Sequence, residues 1–244
     1  MRQLEGKIRK AIEAYSLIDD GDVIGVGISG GKDSLALLCG LAALRKYYPK
    51  SFRLVALTLD PCFQNKETDF SKITALCEEL GVPHIIKRTN LFEIIFEIRK
   101  EKNPCSLCAR MRRGALHDLC VENGCNKIAL GHNMDDVVET FFMNLFNEGR
   151  ISALAPKSYL SRKNLTMIRP LVFCGEGEVA NAVRRSSLPV VKSTCPMDGH
   201  SERQRLYDFI TQKGKEYPGF LRRTFTALQG GNISGLGVYE PKED

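Results

Sequence analysis

Val23-Ile24-Gly25-Val26-Gly27-Ile28-Ser29-Gly30-Gly31-Lys32-Asp33-Ser34-Leu35-Ala36-Leu37-Leu38 joins an apolar run of strand character to an apolar run of helical character through two adjacent glycines. Gly30 and Gly31 let the backbone turn with positive φ and meet a ligand with no Cβ in the way. The helix that begins near Asp33 presents unpaired N–H groups and the positive end of its dipole. Lys32 adds a point charge, and Ser29 and Ser34 add hydroxyls. The unit therefore predicts a phosphate site at a strand-to-helix turn. The glycine-to-lysine spacing is too short for the G-x-x-x-x-G-K-[ST] loop of nucleoside triphosphatases.

Outward from this turn, strand and helix patterns alternate. Leu4, Ile8, Ala11, Ile12 and Tyr15 recur at helical spacing and predict an amphipathic helix over 2–17. Strands follow at 23–28, 54–59, 84–87 and 127–130, with helices across 67–80, near 91–100, over 107–123 and from 135 to 147. Such alternation predicts an α/β fold, a doubly wound parallel sheet with helices on both faces. Ligands gather at the carboxyl ends of such strands, where Ser29–Ser34, Asp60 and Gly131–Asp136 all fall. Residues 149–164 read as loop, 167–173 as a last strand interrupted by Pro170, and the chain from Glu176 as helices, with terminal ones at 201–215 and 218–228. The expected organisation is an N-terminal helix at 1–20, a nucleotide-binding α/β domain at 21–175, a helical part at 176–228 and a flexible tail at 229–244.

A chain of 244 residues, 43% hydrophobic and 26% charged, suits one globular domain with an appendage. No apolar run reaches bilayer length, and Met1–Lys10 is charged rather than signal-like, so a cytoplasmic location without membrane contact is expected. Nine cysteines, an odd count without a secretory signal, point to metal or redox chemistry rather than a disulfide framework. The net charge of +6 is modest. Its clusters, Arg110, Arg112 and Arg113, then Arg184 and Arg185, then Arg222 and Arg223, suit a polyanion such as RNA, although any single pair is equally a solvated helix face.

Cys105-Ser106-Leu107-Cys108 sets two thiols three residues apart at the start of a helix, so that both can reach one metal. Alone, a C-x-x-C is ambiguous. Cys195, in Ser193-Thr194-Cys195-Pro196, is a third candidate 87 residues beyond Cys108. Cys39 and Cys77 sit in helical patterns as inert buried thiols do. Cys120 and Cys125 make a weak pair, and Cys62 and Cys174 have no evident partner.

Ser29-Gly30-Gly31-Lys32-Asp33-Ser34 resembles the S-G-G-x-D-S pyrophosphate loop of ATP pyrophosphatases that activate a carbonyl oxygen by adenylation. With Asp60, C-S-L-C-A-R-M-R-R-G at 105–114, G-H-N-M-D-D at 131–136, A-P-K at 155–157, I-R-P-L at 168–171 and Cys195, the chain resembles the tRNA 2-thiocytidine biosynthesis proteins over about residues 20 to 228. The related tRNA 2-thiouridine synthetases carry terminal zinc-binding segments that this sequence lacks. Position 133 is asparagine where the thiocytidine branch often shows histidine.

The resemblance implies an adenine-nucleotide alpha-hydrolase-like fold and a tRNA sulfurtransferase using ATP and Mg2+. Ser29, Gly30, Gly31, Lys32, Asp33 and Ser34 would hold the phosphates, with Asp33 capping its helix and helping to place the magnesium. Asp60, Gly131, His132 and Asp136 would complete the nucleotide site. Asp135 would serve the metal or the activated base, and Asp136 would be its partner or the cap of the next helix. Cys105, Cys108 and Cys195 would hold a [4Fe-4S] cluster through three thiolates, leaving one iron without a protein ligand. Arg110, Arg112, Arg113, Arg184, Arg185, Arg222 and Arg223 would bind tRNA phosphates. The expected partners are tRNA, ATP, a sulfur donor (a cysteine desulfurase or sulfide) and, in one possible assembly, a second copy of the chain. The thiols alone also fit a zinc site or a persulfide relay. The loop alone also fits a lysidine-type or amidotransferase ligase, or a non-catalytic RNA-binding scaffold.

Overall fold

The computed structural model describes residues 1–100, 104–192, 194–195 and 202–231. The predicted tail lies largely outside the described residues, as do Ser193, Pro196 and Ser201. Helix α1 (Arg2–Ala14) leads into strand β1 (Asp22–Gly27), helix α2 (Lys32–Leu44), β2 (Phe52–Asp60), α3 (Ser71–Glu79) and β3 (His84–Arg88). A π-helical segment, Glu93–Ile98, precedes α4 (Pro104–Glu122), β4 (Lys127–Ala129) and α5 (Met134–Glu148). The chain continues through β5 (Lys157–Leu160), β6 (Leu165–Ile168), α6 (Glu176–Arg185), α7 (Glu202–Glu216) and α8 (Phe220–Gly230).

The six strands form one sheet in the order β3-β2-β1-β4-β6-β5. Every neighbouring pair is parallel except β5 with β6. The antiparallel β5 corrects the expectation of a loop over 149–164. It is a four-residue edge strand of alternating exposure, and its ladder is made with β6, a partner later in the chain. The last parallel strand ends at Ile168, two residues before Pro170, which has no N–H for a ladder.

Residues of α2 are buried on nearly every side, from Leu35 to Leu44, as a helix between a sheet and an outer layer must be. Helices α1 and α6 pack on it, while α4 covers β2 and β4 through a separate cluster built on Leu119 and Cys120. Helices α5, α7 and α8 share an aromatic cluster in which Phe142 stacks on Phe220, with ring centroids 5.7 Å apart, and meets Phe209 edge-on. No described helix is long and apolar enough to cross a membrane.

The strand order switches direction between β1 and β4, the place in such a sheet where a crevice forms at the carboxyl ends of the strands. Both sequence stretches predicted to bind nucleotide open there.

Candidate active site

The loop after β1 braces itself. Gly30 adopts φ +84°, the Ser34 hydroxyl donates to the Gly31 carbonyl at 2.8 Å, and the Gly31 amide donates to the Ser29 hydroxyl at 3.3 Å. Gly31, not Asp33, occupies the cap position of α2 and supplies no side-chain cap, so the first-turn amides are left for an anion. Asp33 lies in that first turn, where its carboxylate meets the Lys32 ammonium at 2.9 Å. Glu176, the first residue of α6, meets the same ammonium at 3.0 Å. Burial works against the charged Lys32, yet Asp33 and Glu176 together hold its pKa above the ordinary value.

The loop after β4 closes the other side. A Cβ on Gly131 would lie 3.0 Å from the Asp33 carbonyl carbon and the Ser34 nitrogen, so glycine is needed for the two turns to touch. Asn133 caps α5: its side-chain oxygen accepts from the amides of Asp135 and Asp136, and the Asn133 backbone N–H donates to the Asp136 carboxylate. The Asn133 amide group also donates to Asp33 at 3.1 Å. Asp136 is thus the inner half of a capping box, not the cap itself. The other carboxylate, Asp135, accepts the Glu176 amide at 2.8 Å. Burial, with the charges of Glu176 and Asp136, pushes the Asp135 carboxyl above the usual range. A cavity of about 480 Å³ opens beside it, lined by Asp135, Glu139, Glu176, Tyr207 and Thr211.

His132 accepts at Nδ1 from the Arg169 guanidinium at 3.2 Å. Arg169 is buried, donates also to the Ala155 carbonyl, and feels the charges of Arg113 and Asp136. It thereby ties the 155–157 and 168–171 motifs to the crevice. Asp60, at the end of β2, is fully buried and accepts from the amides of Cys62 and Thr68 and from the Thr68 hydroxyl. Its carboxylate organises the 61–68 loop beside the crevice rather than pointing a free oxygen at it.

Cys105 and Cys108 stand on the first turn of α4. Cys108 is packed with Leu59, Phe63, Leu91 and Ile95, and Cys195 lies against the same cluster. The charges of both Cys195 and Cys105 reach Cys108, whose thiol is pushed up by burial against the pull of Arg112. Among the described residues, no three His, Cys, Asp or Glu side chains are gathered as ligands of a single ion. Thiolates on different irons of one cluster need only be neighbours, and Cys105 and Cys195 both lie close enough to Cys108 to act on it. Cys120 and Cys125 are buried, with both sulfurs close under Gly25.

The arginines separate by place. Arg110, Arg112 and Arg113 ride on α4 behind the thiols, Arg222 on α8 faces the start of α6 through Glu178, and Arg223 follows it. Arg184 and Arg185 stand at the far end of α6. Glu176, Asn133 and Arg169 are the site residues that sequence reasoning assigned no role. Their signals were a carboxylate after Cys174-Gly175, a cap residue before a helix, and an arginine inside an apolar strand end.

The family model described as a PP-loop domain matches residues 2–213. The tRNA-cytidine(32) 2-sulfurtransferase of Dechloromonas aromatica is 37% identical over 93% of this chain and 79% of its own length. That of Geobacter metallireducens is 38% identical over 93% of this chain and 89% of its own. Among solved structures, the U34-tRNA thiolase NcsA from Methanococcus maripaludis, with its [4Fe-4S] cluster, superposes with a TM-score of 0.75 at 27% identity, covering 97% of this chain and 81% of that one.

Proposed function

Because the chain belongs to the PP-loop family that includes the tRNA-cytidine(32) 2-sulfurtransferases, we propose that it is an ATP-dependent tRNA sulfurtransferase that turns a cytidine of the anticodon loop into 2-thiocytidine. The observation that carries this reading is the packing of Cys195 against the cluster of Cys108, at the end of the strand next to the one that feeds the phosphate loop.

In the first step the C2 oxygen of the base attacks the α-phosphorus of ATP and pyrophosphate leaves. The amides of residues 30–34 and the Lys32 ammonium receive the negative charge that develops on the departing pyrophosphate. Asp33 and Asp135 would hold a magnesium ion that neutralises these phosphates. In the second step hydrosulfide adds to C2, gives up its proton to solvent, and the C2 oxygen leaves with AMP, so the base exchanges one oxygen for one sulfur without net oxidation. A [4Fe-4S] cluster held by Cys105, Cys108 and Cys195 would supply an iron open to the incoming sulfur. The apolar wall of Leu59, Phe63, Phe92 and Phe96 keeps water from competing for the activated carbon. Asp135 orients the amide at the start of α6. A base in a loop is already partly unstacked, which lowers the cost of splaying it out. The arginines of α4 and α8 contact tRNA phosphates, and the setting is the cytoplasm, where thiols remain reduced.

The test is anaerobic incubation of reconstituted protein with ATP, sulfide and unmodified tRNA, followed by nucleoside mass spectrometry and pyrophosphate measurement. The reading expects 2-thiocytidine and stoichiometric pyrophosphate, with Cys105→Ala keeping pyrophosphate release and losing thiolation. 2-Thiouridine as the product would move the chain to the uridine branch. Absence of tRNA-dependent pyrophosphate release would leave only a binding protein.

A further inference from the structure

The segment that carries Cys195 does not reach the thiol cluster independently. The Val191 amide donates to the Gly30 carbonyl at 3.0 Å, and the position of a Cβ on Gly30 lies only 3.1 Å from the Val191 Cβ. Gly30 is the residue of the phosphate loop held at φ +84°, so the strap is fastened to the most conformationally specialised peptide of the site. Val191 is also packed against the main core cluster, whereas its neighbours Val190 and Lys192 are exposed. Four residues of chain span at most about 13 to 14 Å. The third thiol therefore lies within that reach of an anchor on the loop itself.

We infer that Val191 is a positioning residue: its hydrogen bond to Gly30 makes the phosphate loop the mount for Cys195, so that phosphate binding and third-thiol placement are coupled. This rests on the proposed function above, and concerns a link that function does not require. A polyphosphate held by the amides of residues 30–34 restricts the Gly30 peptide. Through the strap it restricts Cys195 as well, and ordering one end lowers the cost of ordering the other. The coupling is reciprocal, so a thiol trio locked in place tightens phosphate binding by the same factor.

The experiment uses the full-length, iron-free protein, inorganic pyrophosphate and iodoacetamide, with alkylation of each cysteine followed by peptide mass spectrometry. Saturating pyrophosphate is expected to slow alkylation of Cys195 by about fivefold, while leaving the buried Cys174 as it was. Two variants break the link differently. Val191→Pro removes the amide donor, and insertion of two glycines after Lys192 keeps the bond but adds about 7 Å of slack. The insertion variant should keep the wild-type melting temperature and pyrophosphate affinity for its loop, lose the protection of Cys195, and retain less iron after anaerobic reconstitution. Full protection and full iron content in that variant would overturn the inference. If the wild-type enzyme binds pyrophosphate and thiolates tRNA while Cys195 alkylation ignores pyrophosphate, the coupling alone falls. If it binds no pyrophosphate, the proposed function falls with it.

Discussion

The Nζ of Lys32 lies 3.0 Å from a carboxylate oxygen of Glu176, an ion pair that joins the first turn of α2 to the first turn of α6. In the proposed reaction Lys32 binds phosphate, and incoming polyphosphate competes with Glu176 for its ammonium. Both side chains are about one-third exposed, so solvent weakens the pair. Glu176→Gln should tighten pyrophosphate binding by roughly two- to fivefold, measured by titration calorimetry, whereas unchanged affinity would show that Glu176 does not compete.

Asp135 carries a conflict between stability and activity. Its folded-state pKa is raised above the ordinary 3.8 by burial and the neighbouring carboxylates. Between 3.8 and the raised value the folded protein holds more protons than the unfolded chain, so stability falls as pH rises through that window and the cost is complete at neutral pH. Asp135→Asn should raise the melting temperature at pH 7 by about 1 to 3 °C, and lower thiolation by about 100-fold or more. In the wild type, activity that needs the carboxylate should fall on acidification at a higher pH than an unperturbed aspartate would give. A melting temperature lowered by the substitution would contradict the assignment.

His84 bridges two hydroxyls, Thr58 Oγ1 at 2.8 Å and Thr74 Oγ1 at 2.9 Å. Burial lowers its pKa below the ordinary 6.5. Here the unfolded chain binds the extra proton first, so stability is full above about pH 6.5 and is lost as pH falls towards the depressed folded value. His84→Gln should flatten the dependence of melting temperature on pH between about 5 and 7, as calorimetry across a buffer series would reveal.

At the opposite end of the sheet, buried Lys127 meets Asp22 and Asp19, each at 2.7 Å. Removing the ammonium strands the Asp22 carboxylate, which is itself buried. Lys127→Ala should cost about 3 to 5 kcal/mol in urea unfolding, and Lys127→Ala combined with Asp22→Ala should cost less than the sum of the two single changes.

Arg113 is exposed on α4 and close enough for its charge to act on Arg169 and His117. If it contacts a tRNA phosphate, Arg113→Ala should weaken binding similarly for different tRNAs and make the plot of log affinity against log salt shallower by about one. Salt-independent binding of the wild type would remove α4 from the RNA surface.

Local sequence determined the phosphate loop, the strand-to-helix alternation and the end of the sheet at which the site lies. Each is written in contiguous residues, through glycines that permit a turn and through apolar periods of two or 3.6 that select strand or helix. Tertiary structure decided the rest. The Lys32–Glu176 pair, the Asn133 bridge to Asp33 and the Arg169 bond to His132 join segments far apart in the chain, and their meeting depends on strand order and helix placement. Strand β5 escaped the sequence because an edge strand of four residues takes its definition from the partner beside it. Cys195 was legible as a thiol, but its partnership with Cys105 and Cys108 came only from the family resemblance; the folded chain packs it against the cluster of Cys108, since a contact between distant residues is fixed by the packing of everything between them.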